Sequence, residues 1–116
     1  MMRVLLVEDE ALLAIDLADL LTEAGFEVIG PAMRAAEALA LIASSGCDAA
    51  VLDVHLGDET SEPVAIELTR LGVPFIVLSG YNSDQHPPAF KGAPMLLKPV
   101  RFEKLATELR QLARRT

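Results

Sequence analysis

An α/β fold is what this sequence predicts: a three-layer, doubly wound sheet of five parallel strands with helices on both faces. Three observations predict it. Short apolar runs and helix-periodic segments alternate about five times along the chain, a rhythm that suits parallel strands joined by right-handed crossover helices. Several of the apolar runs are unbroken, as strands covered on both faces require. The polar residues that end those runs fall at the strands' carboxyl ends, the edge where open parallel sheets bind ligands.

The elements follow in order. Arg3-Val4-Leu5-Leu6-Val7 is β-prone and runs into Glu8, Asp9 and Glu10. From there to Ala24 the pattern is helical, with Leu13, Leu17, Leu20, Leu21 and Ala24 on one face, and Gly25 stops it as a C-terminal cap would. Phe26 to Gly30 alternates as a short strand that Pro31 closes. Ala32 to Ala43 is helix-like, with Ala35, Leu39 and Ile42 at helical spacing, and Ser44-Ser45-Gly46 breaks it. Cys47 to Val54 is the central strand. Thr60-Ser61-Glu62-Pro63 reads as a helix start, with a hydroxyl cap and a proline in the first turn.

Val64, Leu68 and Leu71 form the inner stripe of that helix, and Gly72 ends it. Pro74-Phe75-Ile76-Val77-Leu78 is another apolar strand, stopping at Ser79-Gly80-Tyr81. Residues 82 to 91 have little apolar periodicity and are interrupted by Pro87-Pro88, so the fourth helix is expected to be shortened or irregular. Met95-Leu96-Leu97 is the fifth strand, terminated by Lys98-Pro99. In the last helix Phe102, Leu105, Leu109 and Leu112 share a stripe, and Arg110, Arg114 and Arg115 gather toward the C-terminus, where the helix dipole favours cations.

Composition narrows the function. With 116 residues, 52% hydrophobic and 23% charged, the chain reads as one globular domain over residues 1–116 with a real core. Seventeen acidic residues against ten basic ones give a net charge of -7, which argues against nucleic acid as a partner, since phosphates need a clustered positive face. No apolar run approaches the roughly 20 residues of a membrane span. Acids arrive too soon after the N-terminus for a signal-peptide core. Cys47 has no second cysteine to pair with and reads as a structural thiol. Together these make a cytoplasmic protein the expectation.

The chemistry converges on Asp53, where Ala49-Ala50-Val51-Leu52 drives an apolar strand into a carboxylate followed by His55-Leu56-Gly57-Asp58-Glu59. A carboxylate at such a place needs polar or metal company. Glu8, Asp9, Ser79 and Lys98 stand at the ends of three other strands. Each has a plainer reading. Glu8 and Asp9 suit the start of the next helix, Ser79 suits a strand end, and Lys98 suits solvent. Their joint occurrence favours a site. Clustered carboxylates repel one another, and a hard divalent cation relieves the repulsion. A carboxylate can attack phosphorus to give an acyl phosphate, with a cation, a lysine and a hydroxyl answering the phosphoryl charge.

This set resembles the receiver domain of two-component response regulators over nearly the whole chain. The resemblance implies a flavodoxin-like strand order of 2-1-3-4-5. It implies that Asp53 accepts a phosphoryl group from a histidine kinase or histidine phosphotransfer protein. It implies Mg²⁺ (or Mn²⁺) held by Asp9, Asp53 and the backbone carbonyl of His55, with Glu8 assisting through water. Ser79 and Lys98 would contact the phosphoryl group, and Lys98-Pro99 is a candidate cis bond. The pattern departs from the family where Met95 replaces the usual aromatic three residues before the lysine. Tyr81 is a candidate replacement for that ring. The run Pro74 to Tyr81, and Asp53 to Glu59, are similar to an atypical stand-alone subgroup marked by Phe-Ala-Thr-Gly-Tyr.

The resulting expectation is a phosphorylation switch and not a conventional enzyme. It would act through a protein partner in trans or as a phosphate sink, with a homodimer through the first or last helix also open. The His55 side chain is weighed as a tuner of dephosphorylation, and His86 as exposed and idle. Two main rivals stand beside this reading, and a nucleotide-binding flavodoxin-like domain is weaker still, since no Gly-rich loop follows the first strand. One is a receiver-like binding module that works without phosphorylation. The other is an aspartyl-phosphate phosphohydrolase, weakened because His55 stands where such enzymes place a second acid.

Overall fold

The computed structural model describes residues 1–80 and 87–115, with side chains described as far as residue 112. The expectations about Tyr81, His86 and the side chains of Arg114 and Arg115 lie outside the described residues.

The apolar runs become strands whose alternate residues feed two separate cores, as a pleated strand must. In β1 (Arg3–Val7), Leu5 and Val7 join one core while Val4 and Leu6 join the other. In β3 (Ala49–Asp53), Ala50 and Leu52 face the first core, Ala49 and Val51 the second. The helices divide accordingly. α2 (Ala35–Ser44) and α3 (Glu62–Leu71) cover the first face through Ala35, Ala38, Ile42, Val64, Ala65 and Leu68. α1 (Ala11–Glu23) and α4 (Phe102–Arg115) cover the second through Leu17, Leu21, Leu105, Leu109 and Leu112. That makes three layers.

The sheet also contains β2 (Glu27–Ala32), β6 (Phe75–Ser79) and β7 (Met95–Leu97). Its order is β2-β1-β3-β6-β7 and every pairing is parallel. Two short strands, β4 (His55–Leu56) and β5 (Glu59–Thr60), form a separate antiparallel pair. With that pair set aside, the order is the expected 2-1-3-4-5. It reverses between β1 and β3, which places a crevice at their carboxyl ends.

Several local expectations need correction. β2 does not close at Pro31 but runs on to Ala32, with a register irregularity opposite Leu5 to Val7. An edge strand tolerates proline because its missing N–H can face away from the ladder. Gly30 has a φ of +99°, and the Gly30–Pro31 bond is cis. α2 accordingly starts at Ala35 and not Ala32. The two hydroxyls at the start of α3 behave differently. Ser61 occupies the cap position but makes no side-chain cap bond, and its buried Oγ has no partner. Thr60 Oγ1 instead accepts from the Glu62 amide at 3.3 Å. Leu71, placed in the inner stripe, is 46% exposed, and Ala65 is buried in its stead. Between β6 and β7 the described residues hold one 3₁₀ turn, Pro88–Phe90, in keeping with a shortened fourth helix.

Candidate functional site

Each strand end delivers its polar residue to the same edge. β1 hands the chain directly to Glu8 and Asp9, and the Glu8 amide donates to the Ala32 carbonyl at 2.9 Å, tying the end of β1 to the end of β2. β3 ends on Asp53 and β6 on Ser79. Beyond β7, the Lys98 amide donates to the Ser79 carbonyl at 2.8 Å, which fixes the root of the lysine beside β6. The Lys98–Pro99 bond is cis, as the resemblance implied.

The structure therefore brings together the side chains of Glu8, Asp9, Asp53 and Lys98, with Ser79 at the neighbouring strand end. One carboxylate oxygen from each of Glu8, Asp9 and Asp53 lies within 4.8 Å of the others. Lys98 Nζ donates to Asp53 Oδ2 at 2.8 Å and lies 3.1 Å from Glu8 Oε1. The second contact is an ion pair without hydrogen-bond alignment, so Glu8 Oε1 is buried with no hydrogen bond of its own. Glu8, Asp53 and Ser79 are 0%, 5% and 1% exposed. His55, by contrast, is exposed on β4, two residues beyond Asp53.

The electrostatics follow from that crowding. Burial, then the hydrogen bond with Asp53 and its charge, push the Glu8 carboxyl up to about 7 against the opposing pull of the Glu10 amide and Lys98. Glu8 Oε2 accepts from that amide at 3.0 Å. Burial alone would lower the pKa of Lys98, but the hydrogen bond to Asp53 and the close negative charges of Asp53 and Glu8 outweigh it and the net shift is upward. The lysine therefore stays an ammonium. Three hard oxygen ligands and a buried carboxylate oxygen without a hydrogen bond fit a hard divalent cation.

Sequence reasoning missed the hairpin formed by β4 and β5. Through it the Gly57 amide donates to Asp9 Oδ2 at 2.7 Å, and Glu59 Oε1 accepts from the Ala35 amide at 2.8 Å. The available signal was Gly57-Asp58, a turn-prone pair, but strands of two residues carry no readable period.

A parallel sheet in this order, with its acids and one lysine gathered at the carboxyl edge, is the build of a two-component signal receiver. The chain belongs to the response regulator receiver domain family, whose model matches residues 4–110. The transcriptional regulatory protein PdtaR of Mycobacterium tuberculosis is 35% identical over 81 residues, 69% of this chain and 40% of that protein. The chain thus spans 40% of the length of the curated relatives it matches. A CheY-like receiver domain protein from Methanospirillum hungatei superposes with a TM-score of 0.88 at 26% identity, over 98% of this chain and 95% of that one. The response regulator TrrA of Thermotoga maritima, solved in complex with Mg²⁺ and BeF, gives 0.84 at 26% identity, over 97% and 99%. No helix among the described residues is long and apolar enough to cross a membrane.

Proposed function

We propose that the chain is a phosphorylation-dependent switch in which Asp53 is the phosphoacceptor. A carboxylate oxygen of Asp53 attacks the phosphorus of a phosphohistidine on a histidine kinase or phosphotransfer protein. The new O–P bond forms as the P–N bond breaks, and the donor imidazole keeps the electron pair and takes up a proton. Lys98 answers the charge of the transferring group, and Ser79 donates from the end of β6. The observation that carries this reading is the Lys98 ammonium, held 2.8 Å from Asp53 at an almost fully buried strand end.

Asp9, Asp53 and the His55 carbonyl would hold Mg²⁺ (or Mn²⁺), with Glu8 behind them. The cation would neutralise charge on the phosphoryl oxygens. Residues 1–116 form one receiver domain in this reading, and its output is a protein partner in trans or a phosphate-sink role. The family in general serves signalling and is not classed with enzymes, and this chain's phosphoryl chemistry would be confined to its own Asp53.

The test is intact-mass measurement after incubation with Mg²⁺ and acetyl phosphate or a phosphorylated histidine kinase. One added phosphate on the wild type and none on Asp53→Ala is the expected result. A wild type that gains no phosphate from any donor would instead favour a module that binds its partner unphosphorylated. Steady turnover of a phosphomonoester would favour a hydrolase.

A further inference from the structure

We propose that Glu59 is a positioning residue for the site at Asp53, acting by clamping the β4–β5 hairpin to the start of α2. The proposal rests on the reading of Asp53 as a phosphoacceptor beside a cation.

The hairpin carries the His55 backbone away from Asp53 and turns at Gly57, whose φ is +66°. Two residue pairs are too few to hold a hairpin in water by themselves. Its rigidity must come from outside. Leu56 anchors one strand in the core, and at the base the Ser61 amide donates to the Val54 carbonyl at 2.9 Å. The turn is tethered by the Gly57 amide on Asp9 Oδ2. The second strand is tethered by Glu59, whose Oε1 accepts from the Ala35 amide at 2.8 Å while Arg34 Nη2 lies 3.5 Å from its Oε2 and 3.4 Å from Asp58 Oδ1.

α2 has a use for that carboxylate. Its cap residue, Arg34, makes no side-chain cap bond, so the first-turn amides need an outside acceptor. Glu59 supplies one, together with a negative charge at the positive end of the helix. α2 is in turn fastened to the sheet by buried Ala35, Ala38 and Ile42. Order therefore passes from a packed helix through Glu59 to the hairpin, and through Gly57 to Asp9. Asp9 is one of the three clustered carboxylates. Glu59 itself is not in that cluster.

Removing the clamp should leave the carboxylates present but poorly arranged. Partners that orient metal ligands in this indirect way typically change metal affinity by 10- to 100-fold. The experiment measures Mg²⁺ affinity by calorimetry and amide hydrogen exchange across residues 55–60. It compares wild type with Glu59→Ala, Glu59→Gln and Leu109→Ala, the last a truncation in α4 that costs stability away from the hairpin.

Glu59→Ala is expected to weaken Mg²⁺ binding about tenfold and to speed exchange in the hairpin. Glu59→Gln keeps an oxygen for the Ala35 amide and should recover most of both. Leu109→Ala should leave Mg²⁺ affinity unchanged. Wild-type affinity in Glu59→Ala, or an equal loss in Leu109→Ala, overturns the proposal. If wild type takes up no phosphate while Glu59→Ala still frees the hairpin and weakens Mg²⁺, the phosphoacceptor reading fails and the clamp stands.

Discussion

Glu8 carries an acidic side chain into full burial and keeps it there beside a second carboxylate. Its carboxyl is pushed from 4.5 up to about 7, chiefly by burial and then by Asp53. Between those values the folded protein holds a proton that the unfolded chain has released. The native state then binds more protons than the unfolded one, so stability falls as pH rises through this window. The contribution is complete below pH 4.5 and lost as pH climbs past about 7, an effect of up to about 3 kcal/mol. Lys98 has a raised pKa, so its own contribution is lost only at alkaline pH, outside this window. Urea unfolding at pH 5 and pH 8 without divalent cations should show a steeper loss for wild type than for Glu8→Gln. Equal losses in the two proteins would mean that Glu8 does not titrate in this range.

At the scale of the element, β2 shows how a single position shapes the edge of the site. A Cβ added at Gly30 would lie 2.7 Å from the Ala32 backbone nitrogen and 3.1 Å from the Leu6 carbonyl oxygen. Both neighbours are backbone, so neither can swing aside. The positive φ of +99° adds its own penalty for an L side chain. Gly30→Ala is therefore expected to destabilise the protein by ~2 kcal/mol or more, read from the midpoint of denaturant unfolding. The Ala32 carbonyl also accepts from the Glu8 amide, so the same variant should weaken Mg²⁺ binding. The bounds of β1 and β7 were legible because an apolar run meets charge at Glu8 and Lys98. The continuation of β2 past Pro31 was not legible, since proline reads as a stop unless the strand is known to be an edge.

At the scale of the molecule, one sheet separates two apolar cores that share no helix. Leu68 on α3 is fully buried in one and Leu109 on α4 in the other. Every central strand contributes to both, so neither core can open without disturbing the strands that line the other. Leu68→Ala and Leu109→Ala are each expected to cost about 2–5 kcal/mol. Each should still unfold in one transition, with far-UV circular dichroism and amide hydrogen exchange in α3 and α4 reporting the same free energy. Different free energies of exchange in α3 and α4 would show that the cores melt independently. The same architecture explains why the candidate site lies at the carboxyl edge: β1, β3, β6 and the turn after β7 reach it side by side.

The sequence by itself determined the alternation of strand and helix, the parallel sheet, and the gathering of Glu8, Asp9, Asp53, Ser79 and Lys98. These follow from apolar periodicity and from the way parallel strands all point one way, both of which are local or topological properties. Only the tertiary structure decided that Leu71 faces water while Ala65 is buried, because the rotation of a helix about its axis is set by what packs against it. Only it decided that Glu8 is sealed off completely and paired with Lys98, two residues 90 positions apart in the chain. It alone joined Glu59 to the Ala35 amide across 24 residues. No period or motif announces such a contact, since it depends on where two separately formed elements come to rest.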